Sequence, residues 1–210
     1  CNPCYSLIMP VTINGNGTIT GVSVGGLPDG IVDTDMLANG AVTAAKRGAG
    51  AILQVVQTYK TDTFSENLAA GAESGDVTGL TASITPSNAS NKILISFDLN
   101  MGLGNSSNGS RLAATIYKAS SILTGSIGDA SGDTKRVTSM SANGNLEKSM
   151  MIGGSYLDTA GGTSSITYSL RLRHGRGAAC DVYINRPATM YNYSYGHKCG
   201  SSITLMEVAA

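Results

Sequence analysis

A tyrosine-rich segment near the end of the sequence carries the side chains best suited to recognition chemistry. It reads Tyr191-Asn-Tyr-Ser-Tyr-Gly-His-Lys198, with three tyrosines at alternating positions. Tyrosine combines a flat apolar ring with a hydroxyl group, which suits stacking on a sugar and hydrogen bonding to it. Basic side chains in and near the segment suit anionic sugars. The predicted binding residues are Arg186, Tyr191, Tyr193, Tyr195, His197 and Lys198.

The same alternation is also typical of a strand whose tyrosines pack against a neighbouring subunit. Both interpretations remain open at this point. Three polar loops, Gly102–Ser110, Ser126–Thr134 and Ser141–Glu147, are further candidate binding surfaces. Loops of this kind carry binding function when a rigid scaffold holds them.

The acidic side chains do not predict an enzyme. Cleavage of a polysaccharide uses two carboxylates a few ångströms apart. The candidates here are scattered along the sequence, and each fits a turn or a strand edge. We therefore predict no catalytic residues and no cofactor, and keep a small depolymerase only as a minor alternative. The acids considered are Asp129, Asp133, Glu147, Asp158 and Asp181.

The histidines and cysteines do not predict a metal centre either. His174 shares the apolar face of its strand, which favours a hydrogen-bonded core or interface histidine; a site on a trimer axis is a minor alternative. Cys1 and Cys4 lack the helical setting or second ligand pair of a CxxC site. Cys180 and Cys199 bracket a long loop and could form a disulfide, although two buried thiols fit a reducing cytosol better.

Composition narrows the functional classes. The 210 residues include 27 glycines, and 14 basic side chains balance 14 acidic ones. Without a block of like charge, a nucleic-acid groove or an anionic-membrane surface is not expected. No apolar stretch approaches the roughly 20 residues that span a bilayer, and no signal peptide is apparent.

The sequence divides into a thin lead and a longer head. Residues 1–8 precede Met9 and are predicted to be a non-native or flexible extension. Residues 9–50 are too glycine-rich to bury a core, and we predict short β-segments there. Short helices are predicted from Asp33 or Thr34 to Leu37 and over Ala41–Lys46. Such short elements need neighbours, which identical chains around a symmetry axis would supply.

Residues 51–210 show period-two patterning, which predicts an all-β head, an antiparallel β-sandwich of the jelly-roll type. Ile93, Ile95, Phe97 and Leu99 are predicted to share one face, as are the alternate residues from Ile166 to His174. The predicted strands are Ile52–Tyr59, Val77–Thr85, Lys92–Met101, Arg111–Lys118, Ser121–Leu123, Arg136–Met140, Lys148–Leu157, Ile166–His174, Asp181–Asn185 and Ser202–Val208.

Several segments, in this order, resemble the tail fibres of tailed bacteriophages, especially those of aquatic phages and cyanophages. They are Gly21–Lys46, Val77–Ile95, Tyr156–Asp158, Ile166–Tyr168 and Ser202–Val208. The resemblance implies a homotrimer in the virion, made in the host cytoplasm. Its N-terminal end would dock to a tail or baseplate protein, and its head would bind host polysaccharide or lipopolysaccharide. The alternative is a structural virion protein, such as a capsid decoration or a tail adaptor, without receptor binding.

Overall fold

The computed structural model describes residues 12–13, 19–20, 37, 39–43, 46–104, 111–142, 148–192 and 197–210. The chain forms two compact units, Cys1–Lys46 and Arg47–Ala210. In the first unit, strands β1 (Thr12–Ile13) and β2 (Ile19–Thr20) pair antiparallel. The second unit carries the strands β3 Ile52–Lys60, β4 Phe64–Leu68, β5 Thr81–Ile84, β6 Lys92–Leu103, β7 Arg111–Lys118, β8 Ser121–Ile122, β9 Ser139–Ala142, β10 Met150–Thr159, β11 Ile166–His174, β12 Cys180–Ile184 and β13 Ser201–Val208.

These strands form two antiparallel sheets. In the first sheet, β6 pairs with β10 along one edge, and with β13 and then β12 along the other. β3 extends the sheet beyond β13, and β4 extends it beyond β12. In the second sheet, β11 lies between β5 and β7, and β7 pairs on its other edge with β8 and β9. The second unit is therefore an all-β sandwich, as its period-two pattern predicts.

One hydrophobic core lies between the two sheets. The predicted apolar face of β6 is confirmed, because Ile93, Ile95, Phe97 and Leu99 are at most 1% exposed. Burying each such side chain contributes about 1.5–3 kcal/mol, which makes the alternation a strong constraint on register. The second sheet contributes Ile84, Leu112, Ala114, Ile116, Tyr168, Leu170 and Leu172 to the same core.

The sandwich has two distinct ends. At one end, which we call the entry end, the chain enters β3, and the Gly50 amide donates to the carbonyl of Ala209 (2.9 Å). Lys92, the first residue of β6, also lies at this end, where it pairs with Val208. β6 then runs for about 36 Å at 3.3 Å per residue. Leu103 therefore lies at the opposite end, which we call the far end, with the start of β7 and the end of β11.

A buried carboxylate fastens the entry end. Glu207 is 1% exposed and lies on the core side of β13. It accepts hydrogen bonds from Gln54 Nε2 (2.6 Å), Ser87 N (2.7 Å), Ser87 Oγ (2.8 Å) and Asn91 Nδ2 (2.6 Å). Burial pushes the pKa of this carboxyl upward, but the hydrogen bonds from Asn91, Gln54 and Ser87 outweigh it and hold the pKa below its usual value.

Some sequence-based boundaries were wrong. β4 was not predicted, because Phe64 and Leu68 enclose three polar residues. Only Thr81–Ile84 of the predicted strand Val77–Thr85 is extended in the sheet. The strand predicted at Arg136–Met140 is β9, Ser139–Ala142, and residues 102–103, predicted to begin a loop, complete β6.

Several predictions about the lead lie outside the described residues. They include residues 1–8 and most of the helix predicted to end at Leu37. The helix predicted over Ala41–Lys46 is not α-helical at the described positions 41–43 and 46. No helix in the described part of the chain is long and apolar enough to cross a membrane.

The two described cysteines are free. Cys180 is buried, as predicted, but Cys199 is exposed, so the prediction of two buried thiols is wrong for Cys199. Burial raises the pKa of the Cys180 thiol. A buried thiol of raised pKa is a poor nucleophile, which is consistent with a packing role.

Candidate functional site: a cationic cleft and the tyrosine segment

The tyrosine segment belongs to the connection between β12 and β13, and the first residue of that connection, Asn185, is anchored by hydrogen bonds. Asn185 is buried and has a φ of 62°. Its amide donates to the Asn100 carbonyl (2.7 Å), and its side chain donates to the carbonyls of Lys60 (2.8 Å) and Asp62 (2.9 Å). Ser201, the first residue of β13, donates to Asn185 Oδ1 (2.6 Å). The two ends of the connection are therefore held together.

The connection also crosses closely over β6 at a glycine. A Cβ atom added at Gly102 would lie 2.3 Å from the carbonyl oxygen of Arg186 and 2.9 Å from Cα of Pro187. Both are backbone atoms that cannot rotate away. Glycine is thus required at this position for the connection to lie against the sheet.

The predicted binding residues differ in what the structure shows of them. Tyr191 is 50% exposed, and His197 and Lys198 are also exposed. The Arg186 guanidinium donates to the carbonyls of Pro187 (3.0 Å) and Ala188 (2.8 Å) and lies over the Tyr183 ring at 4.6 Å. Arg186 therefore shapes its own segment. The predicted Tyr193 and Tyr195 lie outside the described residues.

A cleft of about 520 Å³ opens at the far end, on the outer face of the second sheet. Its floor is a row of paired residues, Arg173 on β11, Ala113 on β7 and Met140 on β9. The small Ala113 between two long side chains leaves a hollow. The remaining lining residues are Gly71, Arg111, Thr134, Lys135, Val137, His174, Gly175 and Arg176.

The cleft is strongly cationic. Arg111, Lys135, Arg173 and Arg176 line it, and none of the described lining residues is acidic. A counter-charge lies beside the cleft at Glu73, whose Oε2 is 3.7 Å from Nη2 of Arg173. Charges of one sign along a low-dielectric cleft focus the field and raise the local concentration of an opposite charge.

His174 lies under the cleft as a structural residue. It is 2% exposed, and its Nε2 is 3.0 Å from the carbonyl oxygen of Leu68, which can only accept. Its Nδ1 accepts from the Arg176 amide (3.2 Å). These partners define the Nε2–H tautomer, and they place His174 in the core, as its position on the apolar face predicts. It also fixes the start of the loop that carries Arg176.

A polar network next to the cleft holds the outer face of β11. The Arg171 guanidinium lies 4.0 Å from the centroid of the Tyr117 ring and donates to Asp76 Oδ1 (2.7 Å). The Tyr117 hydroxyl donates to Glu73. Burial, together with the Glu73 carboxylate, raises the pKa of Tyr117 to about 12. Glu73 thus accepts from the Tyr117 hydroxyl and also lies beside Arg173, which ties the network to the edge of the cleft.

The acidic residues considered in the sequence analysis differ in their surroundings. Asp158 accepts from Lys118 Nζ (2.6 Å) and the Tyr168 hydroxyl (2.7 Å), and so joins the two sheets. Asp181 accepts from Asn67 (2.7 Å). Asp129 and Asp133 are exposed, and Glu147 lies outside the described residues. In the described ranges, no three His, Cys, Asp or Glu side chains are grouped so that they could hold a metal ion.

The outer face of the first sheet carries an apolar row across four strands. Val55, Met206, Leu94 and Leu157 are successive partners in it, and Val55 and Leu157 are more than half exposed. The neighbouring row is polar but uncharged, and consists of Gln57, Thr204, Ser96 and Ser155. This face can be covered by a protein neighbour without desolvating charges in these two rows.

No protein-family model and no curated protein matches the chain. Among solved structures, the chain is similar to the VP2 subviral particle of infectious bursal disease virus, with a TM-score of 0.37 and 15% sequence identity. The match covers 75% of this chain and 37% of the VP2 chain, so this chain spans little more than a third of that protein. A likeness at this TM-score carries no argument about fold or function.

Proposed function

We propose that this chain is a tail fibre protein of a tailed bacteriophage and binds a host-surface polysaccharide or lipopolysaccharide. Its N-terminal segment would attach to a tail or baseplate protein, and its jelly-roll-like head would mediate reversible adhesion without a chemical reaction. One observation carries the proposal. The head has a cleft lined by basic side chains at the far end, opposite the end at which the chain enters the sandwich. An adhesive head needs its binding site at the end away from the segment that attaches it.

The proposal includes a homotrimer, in which a second copy covers the apolar row Val55–Met206–Leu94–Leu157. The uncharged rows support this choice, because a neighbouring copy can cover them without burying a charged side chain of either row. Three linked heads would make weak single-site sugar binding effective through avidity. The virion would carry the trimer, and the host cytoplasm would be where it is made.

A structural virion protein without receptor binding is the second candidate. The same apolar row favours it, because the row suits any protein neighbour in an assembly as well as a second copy. The two candidates differ in the location of the chain within the particle.

Antibody labelling of intact virions tests this difference. We expect gold-labelled antibody against the second unit to mark the tips of tail fibres. Labelling confined to the capsid shell or the neck would contradict the adhesion proposal and favour the structural one. Antibody against an unrelated capsid protein of the same particle serves as the positional control.

A further inference from the structure

We infer that the far-end cleft binds the anionic group of an acidic sugar, a carboxylate or a phosphate carried on a sugar ring. The inference rests on the proposed function, adhesion to a surface glycan, and names the chemical class of that glycan. It concerns a set of residues different from the tyrosine segment.

The first argument is charge convergence. The cations come from three separate places. Arg111 begins β7 and Lys135 precedes β9. Arg173 is the last residue but one of β11, and Arg176 follows that strand. The whole chain has a formal net charge of zero. Four cations around one hollow therefore reflect local placement and not general basicity. Like charges brought together cost free energy unless an anion offsets them.

The second argument is hydrogen bonding. The Nε atoms of Arg173 and Arg176 are buried and have no acceptor among the described residues. An unsatisfied buried donor is costly, most of all on a charged group. Carboxylate and phosphate oxygens match the guanidinium fork and accept two parallel hydrogen bonds. Arg173 already donates from Nη1 to the Gly71 carbonyl. What an anionic ligand would supply is the acceptor missing at each Nε atom, once the guanidinium groups turn toward it from their solvent-closed positions.

The third argument distinguishes a sugar from a free ion. The cleft holds about 520 Å³, within the range of about 300–1,000 Å³ typical of small-molecule sites. Ala113, Val137 and Met140 give it an apolar side. A free inorganic anion needs neither this volume nor an apolar surface, whereas the C–H face of a sugar ring packs against one. The cleft therefore fits a sugar that carries the charge.

Calorimetric titration of the full chain tests the inference with three probes. They are trigalacturonic acid, galactose 6-phosphate and neutral galactotriose, each titrated into the low-millimolar range. We expect one or both acidic probes to bind, more weakly as salt is added, and the neutral probe not to bind. The acidic probe that binds identifies the source of the charge. Binding by neither acidic probe, or equal binding of the neutral one, would overturn the inference.

A matched pair of double variants locates the site. Arg111→Gln/Lys135→Gln removes two exposed cations of the cleft, and Arg47→Gln/Lys92→Gln removes two surface cations at the entry end. We expect at least a tenfold loss of affinity in the first and little change in the second, with both folded by circular dichroism. Equal affinity in the two variants would overturn the cleft as the site.

Cell binding separates this inference from the proposed function. If the cleft variant binds host cells as well as the unmodified chain does, the cleft inference fails and adhesion stands. If acidic sugar binds the cleft but host cells are not bound, the cleft stands and the adhesion proposal fails.

Discussion

Replacing Glu207 with alanine is expected to destabilise the second unit by about 2–4 kcal/mol. The substitution leaves the Ser87 amide without its acceptor, and the Asn91 Nδ2 donor keeps only the longer bond to Ser87 Oγ (3.2 Å). For a domain of this size, the change corresponds to a fall in melting temperature of about 5–15 °C. Thermal unfolding followed by circular dichroism measures it. The exposed Asp129→Asn substitution, which also removes one negative charge, should leave the melting temperature nearly unchanged.

The same carboxylate predicts acid sensitivity. The pKa of Glu207 is lowered from its ordinary 4.5 in the folded protein, so the unfolded chain takes up the proton first as the pH falls. The stabilisation is therefore present above about pH 4.5 and is lost as the pH drops through the folded pKa. At pH 6, the melting temperature of Glu207→Gln should be lower than that of the unmodified chain. Between pH 6 and pH 3, it should fall by less than that of the unmodified chain. A variant that matches the unmodified chain in both respects would contradict this role.

Replacing Gly102 with alanine is expected to release the start of the connection between β12 and β13, at Arg186 and Pro187, from the sheet. The new methyl group would overlap the Arg186 carbonyl oxygen at 2.3 Å, and the backbone must move to admit it. We expect a loss of about 1–3 kcal/mol in stability and faster amide hydrogen exchange in residues 185–192. Hydrogen exchange followed by mass spectrometry measures the effect by segment.

Gly128→Ala is the matched control, because a Cβ atom there meets nothing within 4 Å. It should change stability by less than about 0.5 kcal/mol and leave exchange in residues 185–192 unaltered. Equal exchange in the two variants would show that the close approach at Gly102 does not hold the segment.

The sequence predicts the strands whose apolar residues alternate without interruption. The bounds predicted for β11 are the observed ones, because its apolar residues recur at every second position. Those predicted for β7 are also observed, although both of its faces are buried from Leu112 to Tyr117. β4 escaped prediction because it is a short edge strand with the polar Glu66 on the same side as its two apolar residues. An edge strand buries fewer side chains than a central strand, so the alternation of apolar and polar residues in its sequence is weaker.

The cleft could not be predicted in the same way. Arg111 and Arg173 are far apart in the sequence and meet only because β7 and β11 pair with Ala113 opposite Arg173. Registers between distant strands follow from packing of the whole core and have no local signature. The tyrosine segment was recognisable because its pattern is local. The tyrosines are close together in the sequence, so their grouping can be read directly from it. The role of Ala113 in forming the hollow depends on Arg173 and Met140, which lie beside it only in the folded sheet.

Binding of fluorescently labelled protein to a panel of intact bacteria that includes the host tests the central claim most directly. Native mass spectrometry of the same sample gives the oligomeric state. We predict a trimer that binds one strain saturably and is competed by that strain's surface polysaccharide. A monodisperse monomer, or a folded protein that binds no member of the panel, would contradict the adhesion account.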